Sequence, residues 1–402
     1  MKILQVIPYF PPAYAFGGPV QVAYQISRQL AKKGHEVIVY TSDAKDFATR
    51  LTSINPCKEL DGFKVYYLRN ISMLSVKYFK FFITPDLYQV AKREIKTFDI
   101  IHLHEYRTFQ NIVIYRFAKK YGVPYVLQAH GSLPRIGSWR KLKWVYDTLY
   151  GYKLLRSAAK VIAVTSFEAE QYRNFGIPVD KIAIIPNGID LAEYANLPPQ
   201  GCFKRKYNIP EEKRVILYLG RLHRVKGVDI LLKAYAYLRN KVKKANDTVL
   251  VIVGPDDGFF TEAKYLASAL GISNAVLFTG PLYGRSKLEA LVDAEFLVIP
   301  SRYEIFSYVL LEAYACGKPV IAANVGGLSS LVIEGVTGTL FEPRNFKQLA
   351  DKMFQLLNDE YLIKEMGTKA IRLVKEKYSI EKIALQIEKL YSKCQCKIIS
   401  NC

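Results

Sequence analysis

Cysteine is scarce in this chain: six among 402 residues, with no Cys-x-x-Cys pair. Such spacing supports neither a disulfide framework nor a zinc site, and it points to a reducing, cytosolic compartment. Long apolar runs are also missing. No stretch reaches the ~18 residues that a membrane-crossing helix requires. The opening run is short, carries Gln5 and Pro8, and reads as a first strand rather than a signal peptide. Two phosphate-binding fingerprints are absent: Gly-x-Gly-x-x-Gly and Gly-x-x-x-x-Gly-Lys-Ser/Thr. Their absence argues against the usual dinucleotide turn and against a P-loop. Acid is in short supply too. There are 36 Asp+Glu against 57 Lys+Arg, a net charge of +21. The excess is shared, +12 in residues 1–195 and +9 in the remainder. It calls for an anionic partner: a nucleic acid, a phosphorylated small molecule or an anionic membrane surface.

What is present is a 402-residue chain, half of it hydrophobic, long enough for two domains. Strand and helix patterns alternate throughout. Short apolar runs at residues 2–7, 36–41, 99–104, 125–128, 161–165 and 182–185 read as buried parallel strands, with helical periodicity between them. Residues 194–213 lack a period, hold Pro198-Pro199, Gly201 and Pro210, and read as a linker. The alternation then resumes, with strands expected at 215–219, 249–253, 276–279, 296–299 and 320–322. The expected architecture is α/β, two Rossmann-like doubly wound domains: residues 1–195 and 196–379, a last helix near 380–394, and a tail at 395–402.

Several segments carry candidate chemistry. Gly220-Arg-Leu-His-Arg-Val-Lys226-Gly227 lies where a strand gives way to a helix. Free backbone N–H groups there, with Arg221 and Lys226, suit a diphosphate; a plain basic turn is the alternative. Glu304 and Glu312 flank an apolar run. In a continuous helix they would stand ~12 Å apart along its axis, too far for a glycosidase pair. They could accept hydrogen bonds from two parts of one long ligand, or be solvated surface acids. Gly17-Gly18 opens the first helix, permitting close backbone approach to a ligand or simply a tight turn. His130-Gly131 follows a strand at its carboxyl end and is either catalytic or a buried, satisfied histidine. His102 and His104, beside Glu105, lack a further spaced ligand and read as polar strand-end residues. Asn187-Gly188 forms a turn just before the linker and is a candidate hinge. Residues 63–83 and 135–160 interleave basic and aromatic side chains, with Asp147 their one acid. Either segment suits an anionic interface or a solvated basic face over an aromatic core stripe.

Taken in order, these segments resemble the group-1 (family 4) retaining glycosyltransferases of GT-B fold. The series is Gly17-Gly18, His130-Gly131, Pro186-Asn-Gly-Ile-Asp190, Gly220-Arg-Leu-x-x-x-Lys226-Gly227, Pro300-Ser301, Glu304-x₇-Glu312, Gly317-x-Pro319-Val320 and Gly326-Gly327. The resemblance implies a nucleotide-diphosphate sugar as co-substrate, with Arg221 and Lys226 on the diphosphate. It assigns Glu312 to the ribose, Glu304 to the transferred sugar, and the backbone of Phe306 and Ser307 to sugar and phosphate. Gly17 and Gly18 would approach the phosphate, and His130 the reacting carbon. It implies no cofactor and no metal, in keeping with the absence of any Asp-x-Asp. The final helix would pack back on the first domain. Ser307 and Ser330 depart from the residues the family often has, Gly and Glu. The expected partners are the donor, a glycan or lipid-linked acceptor and an anionic membrane surface through 63–83 and 135–160. The protein would then be cytoplasmic, peripheral on the inner face of the membrane. A GT-B sugar-nucleotide epimerase is the alternative. A nucleic-acid-binding protein is the weakest reading, because no nucleic-acid module is recognisable.

Overall fold

The computed structural model describes residues 1–52, 57–137, 139–241 and 247–399, with side chains to residue 395. It divides into two compact units. The first holds Met1–Gly188 and Ile380–Cys402; the second holds Ile189–Ser379.

The first unit is built on an eight-stranded sheet. Its strands are β1 (Lys2–Val6), β2 (Glu36–Ser42), β3 (Cys57–Leu60), β4 (Phe63–Leu68), β5 (Ile100–His104), β6 (Tyr125–Gln128), β7 (Lys160–Ala163) and β8 (Ile182–Ile184). They are ordered β3-β4-β2-β1-β5-β6-β7-β8. All pairings are parallel except β3–β4. That edge hairpin turns through Asp61-Gly62, both at positive φ (47° and 84°), as a two-residue Asp-Gly turn requires. The chain leaves β1 first toward β2 and later returns to its other side at β5. The carboxyl ends of β1 and β5 therefore flank a topological switch point, the place where open α/β sheets bind ligands.

The second unit repeats the plan with β9 (Arg214–Leu219), β10 (Thr248–Val253), β11 (Val276–Gly280), β12 (Ala294–Ile299), β13 (Val320–Ala323) and β14 (Gly338–Phe341), ordered β11-β10-β9-β12-β13-β14 and wholly parallel. Alternate residues serve two cores. Ile216, Tyr218, Leu250, Ile252 and Val298 join one; Val215, Leu217, Val251, Leu297 and Ile299 join the other. A sheet covered on both faces explains why these strands read as unbroken apolar runs. Here the switch point lies between the carboxyl ends of β9 and β12.

The structure corrects the sequence reading in several places. Residues 194–213 are part of the second unit rather than a linker. Phe203 is fully buried there, and Asp293 accepts hydrogen bonds from the backbone N–H of Gly201 (2.5 Å) and Lys204 (2.9 Å). The chain passes between units instead at Gly188/Ile189 and Ser379/Ile380. The last helix runs Ile380–Ile399, taking in most of the expected tail, while residues 400–402 lie outside the described residues. It packs on the helix Gly18–Lys32 and on β5. Strands β3, β4 and β14 were not anticipated. The first six residues of the basic-aromatic stretch at 63–83 form strand β4, with Phe63, Val65, Tyr67 and Leu68 buried. Among the described residues no helix is long and apolar enough to cross a membrane.

Candidate active site

At the second unit's switch point, four loops are tied together. The loop leaving β9 pairs with that leaving β10: Leu222 N–H donates to Pro255 O, and Asp257 N–H donates to Leu222 O (2.9 and 3.0 Å). His223 then starts a short 3₁₀ turn by accepting from Val225 N–H (3.1 Å). Gly227 ends that turn at φ +72°, and a Cβ there would stand 1.9 Å from Pro300 O. Only glycine lets the β9 loop lie against the end of β12. On the β12 side, Arg302 N–H donates to Val225 O (2.8 Å), and its guanidinium grips Asp229 with two bonds of 2.8 and 2.6 Å. The Gly326-Gly327 segment after β13 joins through Gly327 N–H to Glu304 O (2.9 Å).

This scaffold brings the predicted residues together as charge pairs. Lys226 Nζ meets Glu304 Oε2 at 2.6 Å, where Ser301 Oγ also donates (3.2 Å). Arg221 meets Asp257 at 2.5 Å. Glu304 precedes the helix Tyr308–Ala315 and Glu312 lies within it, so the two acids are not on one continuous helix. Glu312 is buried, held by Lys287 Nζ (2.5 Å) and Tyr194 OH (3.3 Å). Burial pulls the Lys287 ammonium down most strongly of any single cause, but the charge and hydrogen bond of Glu312, with smaller help from Glu193 and Cys316, together outweigh it and the net shift is upward. Ser307 is the buried N-cap of that helix, and its side chain caps nothing. Phe306 sets its ring 6.3 Å from Tyr378. Lys287 and Tyr194, which hold Glu312, were missed. Neither stands in a motif, and only the fold brings them to the helix.

In the first unit, Gly17 (φ +94°) is the N-cap of the helix Gly18–Lys32, with nothing within 4 Å of where its Cβ would lie. It is required by backbone angle and leaves open space beside the carboxyl end of β1. His130 and Gly131 both take positive φ (51° and 84°). The buried Glu168 carboxylate holds this turn, accepting from Gly131 N–H (2.7 Å) and Val164 N–H (2.8 Å). Burial pushes Glu168 up to about 7 against those two bonds. His104 closes β5, a strand-end position as expected, with His102 two residues before it; both are wholly buried on this central strand. Both ring nitrogens of His104 are already engaged, by His130 and Gln5. Among the described residues no group of three or more His, Cys, Asp or Glu could hold a metal ion. Asn187 accepts from Gln128 Nε2 (3.2 Å), and a Cβ on Gly188 would meet Ile380 Cα at 2.9 Å.

Family models match both halves of the chain: "Glycosyltransferase Family 4" over residues 16–193 and "Glycosyl transferases group 1" over residues 201–373. The chain belongs to the group-1 glycosyltransferases. An N-acetyl-alpha-D-glucosaminyl L-malate synthase of Bacillus anthracis is 29% identical over 411 residues, covering 97% of each chain. An uncharacterized glycosyltransferase of Methanocaldococcus jannaschii is 28% identical, covering 97% of this chain and 98% of its own. Among solved structures, HepE of Anabaena in complex with UDP superposes with TM-score 0.78 at 21% identity, over 98% of this chain and all of the other. The fold is GT-B, shared with such neighbours. This group-1 transferase therefore carries two Rossmann-like units, each with its polar residues at a switch point.

Proposed function

We propose that this protein is a retaining, metal-independent hexosyltransferase that moves a sugar from a nucleotide-diphosphate sugar to a glycan or lipid-linked acceptor. The observation that carries the reading is the cluster at the β9/β12 switch point, where Lys226, Glu304 and Gly327 are bonded into one surface. Arg221 and Lys226 bind the diphosphate and stabilise its charge as it leaves, the part a metal plays in other sites. Glu304 takes the hydroxyls of the transferred sugar once the anion draws Lys226 away from it. Glu312 takes the ribose, and the start of the helix Tyr308–Ala315, with Phe306 and Ser307, seats sugar and phosphate. Gly17, Gly18 and His130 serve from the first unit, and Asn187-Gly188 is the hinge. HepE is described in complexes with UDP and with UDP-glucose, which supports a uridine nucleotide as the first donor to try.

The experiment is a thermal-shift screen of the purified protein against nucleotide sugars, since a ligand of the folded state raises its melting temperature. Acceptor-dependent release of nucleoside diphosphate from the best binder is the expected result. Formation of an epimer from donor alone would replace transfer with isomerisation.

A second observation favours an anionic membrane as partner. Leu74, Tyr78 and Phe79 on the helix Met73–Phe79 are exposed, as are Trp139, Leu142 and Trp144 on and before the helix Arg140–Tyr146. The Phe79 and Trp139 rings lie 4.8 Å apart and join the two segments. Lys77, Lys80, Arg140 and Lys141 surround them, with no acid between residues 71 and 80 or between 133 and 146. Aromatic anchors among lysines suit the interface of an anionic leaflet. The docking surface is narrower than 63–83 and 135–160, because β4 is in the sheet and Leu154 and Leu155 are buried. Placed there, the enzyme is cytoplasmic and peripheral on the inner face. Co-sedimentation with phosphatidylglycerol vesicles, lost at high salt and weakened in Trp144→Ala, is expected; equal sedimentation with neutral vesicles overturns the reading.

A further inference from the structure

The face of the first sheet that carries Gln5, His102 and His104 is a chemical anomaly. Alternate residues Leu4, Val6, Ile101 and Leu103 serve the apolar core on the opposite face. On this face the same strands place Gln5 beside His102 in register, and His104 two residues on. All three are fully buried. Polar groups withdrawn from water are costly unless bonded, and here they are bonded into a row. His130 Nε2 meets His104 Nδ1 at 2.9 Å, and His104 Nε2 meets Gln5 Oε1 at 2.7 Å. Gln5 Nε2 donates to Tyr391 OH (3.2 Å), which meets His102 Nδ1 at 2.7 Å. Tyr391 comes from the last helix, Ile380–Ile399, 386 residues from Gln5.

Burial lowers all three histidines, His102 and His130 to about 3, so each is neutral and carries a single ring proton at neutral pH. That makes the row directional. An amide has one accepting and one donating end. The Gln5 carbonyl requires a proton on His104 Nε2, which leaves His104 Nδ1 bare. His130 must then donate from Nε2, and its Nδ1 is a bare lone pair. At the other end, the Gln5 amide donates to the Tyr391 oxygen, so the only phenolic proton goes to His102 Nδ1. His102 then carries its own proton on Nε2, a buried atom with no hydrogen-bond partner among the described residues, near the Gln128 side chain that raises the His102 pKa. Turning the Gln5 amide over would invert every proton in the row. The His130 Nδ1 atom is itself shielded and has no hydrogen-bond partner among the described residues.

We infer that Gln5 and Tyr391 are positioning residues that fix the tautomer of His130, so that it offers a substrate hydroxyl a hydrogen-bond acceptor at Nδ1 rather than a donor. This rests on the proposed role of His130 at the reacting sugar. The last helix then does more than cover the sheet: through one phenol it sets the proton position of a group three hydrogen bonds away.

The test is nitrogen NMR of the full-length protein labelled with ¹⁵N-histidine, because ring ¹⁵N shifts separate bare from protonated nitrogens. His130 is assigned by its loss in His130→Asn. The expected wild-type spectrum has His130 protonated at Nε2 and bare at Nδ1, unchanged between pH 8 and pH 6. In Tyr391→Phe the amide loses its acceptor and the row its bias. His130 should then become a tautomer mixture, with kcat down about three- to tenfold, the worth of one hydrogen bond, and KM unmoved. A wild-type proton on Nδ1 overturns the inference, as does an unaltered His130 spectrum in folded Tyr391→Phe. If Tyr391→Phe does not fold, the wild-type spectrum still decides. Full turnover in His130→Asn would sink the catalytic role of His130 while leaving the tautomer measurement standing.

Discussion

The two units have the same topology at their centres and opposite chemistry. In the second, the switch point is lined by ions in pairs: Lys226 with Glu304, Arg221 with Asp257, and Lys287 with Glu312. In the first, the polar row of His130, His104, Gln5, Tyr391 and His102 contains no charge. Paired ions keep each charge formed and ready to be drawn toward a ligand of opposite sign. A neutral row cannot attract an anion, but it can hold protons at defined atoms. One unit is suited to gripping a charged donor and the other to meeting an uncharged hydroxyl.

The sharpest way to break that comparison is to remove a charge from the second unit. Lys226→Ala and Glu304→Ala should each lower transfer at least about a hundredfold, the scale of losing one group that stabilises developing charge. Both side chains are partly exposed, so the unfolding midpoint should change little. Turnover near wild type in either variant would remove the pair from the site.

Lys287→Met separates binding from stability. It strands Glu312, which has 5% of its side chain exposed, and should destabilise the second unit by about 3 kcal/mol, as loss of one partner of a buried ion pair does. The double variant Lys287→Met/Glu312→Gln removes the stranded charge and should recover most of that loss in chemical denaturation. If the single variant is as stable as wild type, the pair is not buried in solution.

Acid should act on the first unit. His102, His104 and His130 have folded-state pKa values below the unfolded 6.5. The stability they lend is full above pH 6.5 and is lost as pH falls toward 3. Glu168 works the other way: burial raises it from 4.5 to about 7, so folding gains as pH falls through that range. Each group contributes up to ~1.4 kcal/mol per pH unit, and three histidines outweigh one carboxyl. Calorimetry between pH 7 and pH 4.5 should show the first unit's transition moving down before the second's. The reverse order would contradict neutral burial of the row.

How legible each region was follows from how it is assembled. The second unit's site hangs on short spacings: Gly220 to Gly227 spans one strand-to-helix turn, and Glu304 to Glu312 runs from such a turn into the helix it opens. The close approach of Gly227 to Pro300 O was not read from the sequence, where Gly227 only ended a basic turn. The first unit's row could not be read, because Gln5, His102 and Tyr391 are joined only when β1, β5 and the last helix pack. Seen singly, His102 and His104 were ordinary polar residues on an apolar strand. Strand β4 was hidden for a different reason: its lysine and tyrosines masked a half-buried alternation of Phe63, Val65 and Tyr67. The expected linker failed because prolines there mark bends within the second unit, while the chain changes units just after Pro186-Asn187-Gly188, the short turn read as a candidate hinge.

The smallest predicted effect is also a test of what burial does to a charge pair. Arg224 and Glu262 make two short contacts, 2.7 and 3.0 Å, geometry as good as that of Lys226 and Glu304. Their side chains are 71% and 51% exposed, so water and salt screen the attraction and fixing two long side chains costs entropy. Such pairs are worth about 0–1 kcal/mol. Arg224→Ala should therefore shift the denaturation midpoint by an amount near the error of the measurement, and less still in high salt. The Arg224 carbonyl that accepts from Arg302 (2.6 Å) is backbone and survives the change, so the β9 loop should keep its place and transfer should stay within about twofold of wild type. A large loss of activity would mean that Arg224, not only Arg221 and Lys226, reaches the donor. The division between ions that grip and ions that merely decorate the surface would then have to be redrawn one residue wider.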